Sequence, residues 1–463
     1  MCHKKYISVL IAFVFCLFCS CSHSSNSKTD NSDTVSQPES PPAEQQTSET
    51  FNIRERIENN INDSSDKLLQ DTSFPIDENT VGSEITSLYS FINKTGDYPV
   101  YKCSDIEYYD MGEKALPHIL EELEKAEDFI LIEYYIISEG TLWDSIYDIL
   151  KRKAASGVEV KIMYDGLRDG TFMPYDFPER LKQDGIECHV FSSILSGGAG
   201  ETNIRDHRKI IVIDNKTAFS GGMNLADEYI NISSPYGKWK DNCFKITGQA
   251  VSSYTLMFLQ LWNSYESEKE YDRYLTSSQS TTADNGFIMP FSDNPFDEYA
   301  VSKSVYMSIL ENSKEHVYIT TPYLMPDTEF ETLLCETAKR GVDVRIIVPG
   351  IYDGYTAAML SRSHYRRLIN SGVKVYEYTP GFIHCKIFES DDIKAVLGTI
   401  NLDNRSLVYH FECGSFIYNN SVINDVKADY LKTLEECEEI TTDNISLLNE
   451  IGGGLIKGFE GFL

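Results

Sequence analysis

The chain has 463 residues, enough for two domains of ordinary size. Its 41 Lys and Arg against 71 Asp and Glu give a formal net charge of −30. That balance disfavours a nonspecific nucleic-acid binder, which needs a basic footprint, and broad electrostatic adsorption to anionic lipid. The 11 cysteines show no C-x-x-C spacing, so no zinc site is indicated. Cys2, Cys16, Cys19 and Cys21 lie at the N-terminus. Most of the others read as buried small hydrophobes, with room for one disulfide and at least one free thiol.

Taken in chain order, Lys4 and Lys5 precede an apolar run at 6–18. A run of roughly 13 residues has signal-peptide dimensions and is short of the ~20 needed to span a bilayer. Phe18-Cys19-Ser20-Cys21 resembles a bacterial lipobox, which makes Cys21 the lipidation site and mature N-terminus of residues 1–21. Phe18 and Cys19 depart from that pattern, and an uncleaved signal anchor is the alternative. Residues 22–83 read as a polar tether and linker, almost without apolar residues to about residue 50.

Two lobes are expected, at 84–280 and 281–440. Phe129-Ile-Leu-Ile-Glu-Tyr-Tyr135 parallels Val317-Tyr-Ile-Thr-Thr-Pro-Tyr323. Each leads into a helical stretch, 143–155 and 330–339, and then through Gly157 or Gly341 into a new strand. A second helix-glycine-strand step follows at 184–190 and 371–376. Strand, helix, strand at this spacing predicts an α/β fold of two similar lobes. Each is expected to hold a mostly parallel sheet flanked by helices, with one active-site cleft shared between them. In the tail, 441–463, Leu448, Ile451, Leu455, Phe459 and Phe462 recur at helical steps that Gly452 and Gly458 weaken. Docking onto the domain is expected there, with membrane contact as the alternative.

One pattern is written twice. His207-Arg208-Lys209, Asp214, Gly221-Gly222-Met223-Asn224 and His384-Cys385-Lys386, Asp391, Gly398-Thr399-Ile400-Asn401 both read H-x-K-x4-D-x6-G-[GT]-x-N. Chance matches to five fixed residues come on the order of once in 10⁷ positions. The residues after each Lys are apolar and mostly β-branched and read as a strand, so His207 and Lys209 share one strand face, as do His384 and Lys386. Cys385 should then face away from the site. Asp214 and Asp391 stand at hairpin turns, before second strands at 217–220 and 394–397. Two histidines, two lysines and two asparagines suit phosphodiester transfer. One imidazole attacks phosphorus, and the other protonates the leaving alkoxide and then deprotonates the incoming hydroxyl. Lysines and amides stabilise charge on the phosphoryl oxygens, so no cofactor or metal is expected. Asp214 and Asp391 are placed in the catalytic set, with a turn or supporting role at these hairpins left equally open. Arg205, Arg208, Lys209 and Lys386 form a local cationic group suited to one phosphate.

These residues resemble the phospholipase D superfamily, and more closely its bacterial cardiolipin synthase branch. The flanks carry the likeness further: Ile132-Glu-Tyr-Tyr-Ile136, Asn203-Ile-Arg-Asp206, Leu225-Ala-Asp-Glu-Tyr229, Thr321-Pro-Tyr323, Gly381-Phe-Ile383, Leu402-Asp-Asn-Arg-Ser406 and Phe411-Glu-Cys-Gly414. The resemblance implies that His207 is the nucleophile and His384 the general acid and base. It implies that Lys209, Lys386, Asn224 and Asn401 bind phosphoryl oxygens, and that Asp241 and Glu412 orient the histidines. It also implies a membrane phospholipid substrate, phosphatidylglycerol first among them. The implied reaction joins two such molecules into cardiolipin through a phosphohistidine. Hydrolysis of headgroups is the alternative, with a nuclease or a non-catalytic lipid-binding lipoprotein behind it. With Cys21, the expected place is the extracytoplasmic face of a bacterial cell membrane.

Overall fold

A computed structural model describes residues 43–64, 66–68, 78–96, 98–102, 104–168, 173–191, 203–276, 286–297, 299–443 and 445. The lipobox-like Cys21, the apolar run before it and the apolar residues of the tail from 448 onward lie outside them.

Two mixed sheets form the frame. The first contains β1 (Asp105–Tyr109), β2 (Phe129–Tyr134), β3 (Glu159–Asp165), β4 (Glu187–Phe191), β5 (Lys209–Ile213), β6 (Thr217–Gly221) and β7 (Cys243–Thr247). Its spatial order is β1-β7-β6-β5-β2-β3-β4. The second contains β8 (Phe287–Asp293), β9 (His316–Thr320), β10 (Asp343–Pro349), β11 (Lys374–Tyr378), β12 (Ile387–Ser390), β13 (Lys394–Gly398), β14 (His410–Tyr418) and β15 (Cys437–Ile440). Its main run is β8-β14-β13-β12-β9-β10-β11-β15. The run β7-β6-β5-β2-β3-β4 is repeated as β14-β13-β12-β9-β10-β11, so the sequence duplication is a duplication of topology.

The α/β class and the two lobes are as expected, but along the main run of each sheet parallel pairing is confined to the βαβ half. Strands β2, β3 and β4 run parallel, as do β9, β10 and β11. The motif strands pair antiparallel, β2 with β5 and β5 with β6, then β9 with β12 and β12 with β13. For β5 with β6 and β12 with β13 the physical reason is the hairpin, since a chain that turns back within a few residues cannot run parallel to itself. Each hairpin turns at residues with positive φ: Asp214 (53°) and Asn215 (52°), Asp391 (55°) and Asp392 (62°). Two successive positive φ values match strand twist in tight hairpins and favour Asp and Asn.

Period-two alternation sorts the strands between two cores. Leu131, Ile210, Val212 and Phe244 face a core that includes helix Val251–Trp262 and much of the second sheet. Ile130, Ile132, Ile211 and Ile213 face the other way, against Ile119, Trp143 and Leu150 of helices Gly112–Lys125 and Thr141–Ala155. All 12 residues of Val251–Trp262 are buried, and its polar Ser252, Ser253, Thr255 and Gln260 are hydrogen-bonded to Asn215, Tyr101 and Tyr98.

The segment expected to be a linker to residue 83 contains helix Ala43–Ser64, in which Ile57 and Asn60 are buried. Asn60 Nδ2 donates to Ser264 Oγ at 3.0 Å, so the packed part of the chain begins earlier than its polar composition suggests. Among the described residues no helix is long and apolar enough to cross a membrane. No disulfide joins any two of the six described cysteines, Cys188, Cys243, Cys335, Cys385, Cys413 and Cys437.

Candidate active site

Backbone pairing between the lobes builds the site. Short strand Arg205–Asp206 runs parallel to His410–Phe411, and His207 N donates to Phe411 O at 3.0 Å. In the mirror arrangement Lys240 bridges to Ile383, and His384 N donates to Lys240 O at 2.7 Å. Each motif histidine is thereby laid beside a carboxylate of the other lobe. His207 Nδ1 lies 2.9 and 3.0 Å from the two oxygens of Glu412. His384 Nδ1 lies 2.6 Å from Asp241 Oδ2. A carboxylate accepting at Nδ1 puts the ring proton there and leaves the Nε2 lone pair for chemistry.

The lysines bind back on their own strands. Lys209 Nζ donates to His207 O at 2.6 Å and lies 5.3 Å from the Tyr135 ring centroid. Lys386 Nζ donates to His384 O at 2.5 Å and lies 2.9 and 3.0 Å from the ring nitrogens of His384. Burial and the charge of Lys209, with His410, Lys386 and His384, hold His207 well below the usual imidazole value. Burial and Lys386 bring His384 to about 4, against the pull of Asp241. Both imidazoles are therefore neutral at pH 7, and each feels the lysine of the other motif. Burial lowers Lys209 to about 7 and Lys386 to about 8. Burial raises Glu412, opposed by Lys209 and by the hydroxyls of Ser406 and Thr399. A site with neutral nucleophile and base candidates beside two cationic groups is arranged for an anion such as a phosphodiester.

The asparagines differ. Asn224 Oδ1 accepts from Ile136 N at 3.2 Å and its Nδ2 donates to Tyr229 Oη at 2.7 Å. Asn401 is buried and its Oδ1 has no hydrogen-bond partner among the described residues. Gly222 is required by contact, because a Cβ there would stand 2.1 Å from Asp241 Oδ1 and 3.0 Å from His384 O. The equivalent residue in the second copy, Thr399, donates its hydroxyl to Glu412.

Two sequence expectations are corrected. Asp214 and Asp391 are not at the chemistry but at the far ends of their strands, five residues from Lys209 and Lys386. Asp214 accepts from the backbone N–H of Glu127 (2.9 Å), Asp128 (2.8 Å) and Phe129 (2.9 Å). Asp391 accepts from Lys314 (3.0 Å), Glu315 (2.9 Å) and His316 (3.1 Å). Each pins the start of the neighbouring strand, β2 or β9. Arg205 and Arg208 also leave the cationic group. Arg208 lies on the opposite strand face from His207 and Lys209, with Nε 2.8 Å from Glu133 and Nη1 donating to Met257 O at 3.1 Å. Arg205 is buried against Asp165 at 3.4 Å. Cys385 Sγ donates to Lys240 O at 3.6 Å, off the catalytic face as expected.

Several site residues were not singled out from sequence. Ser406 Oγ donates to Glu412 Oε1 at 2.5 Å. Tyr135 stands edge-on to His207, with ring centroids 4.9 Å apart. Tyr229, Trp239 and Phe382 surround His384 at 5.6–5.8 Å. His410 lies 5.3 Å from His207 between ring centroids. The signal for His410 was present: it is two residues before Glu412, and strand residues two apart face the same way. Two groups bring three possible metal ligands together, His207 with His410 and Glu412, and His316 with Glu389 and Asp392.

Residues 119–262 and 306–434 match the sequence model of the family described as "Cardiolipin synthase, PLD-like domain". An uncharacterised protein of Streptococcus mutans is 45% identical over 359 residues, covering 78% of each chain. A cardiolipin synthase of Alkalihalophilus pseudofirmus is 35% identical over 362 residues, covering 78% of this chain and 72% of that one. Among solved structures, the phosphatidylserine synthase of Haemophilus influenzae superposes with a TM-score of 0.63 at 17% identity. That match covers 81% of this chain and 96% of the other, and it bears on the fold.

Proposed function

Because this chain belongs to the phospholipase D superfamily, in its cardiolipin synthase-like branch, we propose that it is a phosphatidyltransferase joining two phosphatidylglycerol molecules into cardiolipin. The observation that carries the reading is the cross-lobe pair of neutral imidazoles, each held at Nδ1 by a carboxylate and flanked by a lysine.

In the first step His207 Nε2 attacks the phosphorus of one phosphatidylglycerol. The P–O bond to the headgroup glycerol breaks as the P–N bond forms. His384 enters this step as imidazolium, having taken a proton from solvent onto Nε2 with Asp241 stabilising the charged ring; it gives that proton to the departing alkoxide and is left neutral. Lys209 and Lys386 offset the growing charge on the phosphoryl oxygens. In the second step His384 takes the proton from the headgroup hydroxyl of another phosphatidylglycerol. That oxygen displaces His207 from phosphorus, and the histidine is restored. Glu412 keeps the proton on Nδ1 throughout, so the Nε2 lone pair is available at the start and regained at the end. The reading includes attachment to the extracytoplasmic face of a bacterial membrane through Cys21, supported by the short apolar run and polar tether that frame it.

The test is incubation of the purified full-length chain with phosphatidylglycerol vesicles, followed by mass spectrometry. Cardiolipin with one glycerol released per molecule is expected. Phosphatidic acid alone would replace the transferase with a hydrolase, and no turnover of the lipid would overturn both.

A further inference from the structure

His410 has no place in that mechanism, yet it is a buried polar side chain beside the nucleophile. It is 8% exposed, and neither ring nitrogen makes a hydrogen bond among the described residues. Its Nδ1 lies 3.4 Å from Glu412 Oε1, while His207 Nδ1 lies 2.9 Å from the same atom. His207, His410 and Glu412 each bring one ligand atom to within 4.8 Å of the other two. Two ligands of a zinc ion, each about 2.0–2.1 Å from the metal, stand about 2.9–3.4 Å apart at coordination angles of about 90–110°. The two separations at Glu412 Oε1 fall in that range. Two imidazoles and one carboxylate, with a fourth position left open, form an established donor set for zinc. The absence of cysteine from the set is why cysteine spacing is silent about it.

The other candidate cluster is already satisfied as an ion pair. His316 Nε2 lies 3.2 and 3.1 Å from the oxygens of Glu389. Lys427 binds Asp392.

We propose that His207, His410 and Glu412 form a zinc-binding site whose occupation switches catalysis off. A neutral imidazole carries one proton. With Nδ1–H donating to Glu412, the Nε2 lone pair is free to attack phosphorus. Zinc takes the Nδ1 lone pair and the Glu412 oxygen, so the N–H···O bond breaks and the ring proton moves to Nε2. Three metal bonds form, His207 keeps one proton, and the nucleophilic lone pair is lost. Lys209, 2.6 Å from His207 O, works against a cation at this place. The ion is therefore a reversible inhibitor rather than a resident cofactor. The inhibition rests on His207 being the nucleophile, whereas the binding does not.

The test uses the chelator-treated full-length chain and zinc alone as the probe. Competition against a chromogenic indicator should show one zinc per chain, and His410→Asn should weaken it at least roughly tenfold. His316→Asn should leave it unchanged. X-ray absorption at the zinc edge of the wild-type protein, which needs no variant to fold, should show two imidazoles among its ligands. Phosphohistidine formation should fall as zinc is added and recover with chelator. Undiminished binding by a folded His410→Asn protein, loss in His316→Asn instead, or fewer than two imidazoles at the metal would overturn the proposal. Because binding is read without turnover, an inactive preparation would count against the catalytic reading and leave the zinc result to be judged by itself.

Discussion

The exchange of carboxylates between lobes makes a prediction that a single-lobe site would not. In Glu412→Gln the side chain keeps its length and one acceptor oxygen but loses its charge. Glu412 Oε1 receives His207 Nδ1–H at 2.9 Å and the Ser406 hydroxyl at 2.5 Å. Oε2 faces the Thr399 hydroxyl and lies 3.0 Å from His207 Nδ1; Thr399 can instead donate to Cys413 O at 3.2 Å and accept from the new amide once the side chain turns its oxygen fully toward His207. The amide nitrogen therefore settles on the Thr399 side, and the carbonyl oxygen stays on His207. The tautomer survives, so the collapse of about 10⁴ seen when an Asp-to-Asn change traps a triad histidine in the wrong tautomer is not expected. What is lost is the charge on one hydrogen bond, about 1–2 kcal/mol. That corresponds to roughly 5–30-fold in the rate of phosphohistidine formation. Rapid-quench single turnovers on two donors separate the lobes. With phosphatidylglycerol, both Glu412→Gln and Asp241→Asn should be slow. With phosphatidyl-p-nitrophenol, whose leaving group needs no acid, Asp241→Asn should recover and Glu412→Gln should not. Recovery of Glu412→Gln alone would reverse the two histidines and refute the assignment.

Asp214→Ala removes the acceptor of three backbone N–H groups and should cost about 2–4 kcal/mol of stability in urea denaturation; Asp391→Ala, whose donors at Lys314 and Glu315 are open to water, should cost less, with turnover per folded molecule close to wild type in both. A folded variant without activity would return these residues to the chemistry. Gly222→Ala should fold but lose the acid and base function, because its Cβ displaces Asp241 from His384. An unchanged kcat would count against the contact. Burial brings Lys209 to about 7, below its ordinary value near 10.5. Between those values the unfolded chain binds more protons than the folded one, so stability rises with pH across the window and is lost as pH falls to 7. Lys209→Met should flatten that rise between pH 7 and 9.5, and an unaltered slope would contradict the burial argument. Cys21→Ala should abolish incorporation of labelled fatty acid and release the protein from the membrane fraction; persistent labelling would sink the lipobox reading.

Local order was the legible part of this sequence. The βαβ steps, the hairpins and the shared face of His207 with Lys209 all follow from periodicities of two and 3.6 and from glycine placement, which a linear chain displays directly. The parallel sheet was over-extended because βαβ spacing was carried into motif strands joined by hairpins. Arg205 and Arg208 were misassigned because one-letter proximity to a motif says nothing about their carboxylate partners, Asp165 and Glu133, about 40 and 75 positions away. The aspartates looked catalytic because they recur at fixed spacing. Fixed spacing also arises when a residue must cap a neighbouring strand, and three backbone donors at each show that this is the constraint. Which carboxylate serves which histidine was not legible, since the answer is a backbone bridge between residues more than 140 apart.

That bridge also separates the roles of the two copies. The first motif reads Gly221-Gly222 and the second Gly398-Thr399, and the difference tracks the carboxylate each must hold. Asp241 is short and crowds Gly222, where no side chain fits. It accepts from Asn242 N at 2.8 Å and from His384 at 2.6 Å. Glu412 is one methylene longer, and its charge is shared among Thr399, Ser406 and a longer 2.9 Å bond from His207. A carboxylate committed to hydroxyl donors has less of its charge left for an imidazolium. Asp241, with the shorter bond and no hydroxyl partner among the described residues, stabilises a protonated ring more strongly. The general acid must pass through that state and the nucleophile must begin outside it. The asymmetry supports the proposed roles, His384 in proton transfer and His207 in attack, on geometry that does not depend on which motif comes first.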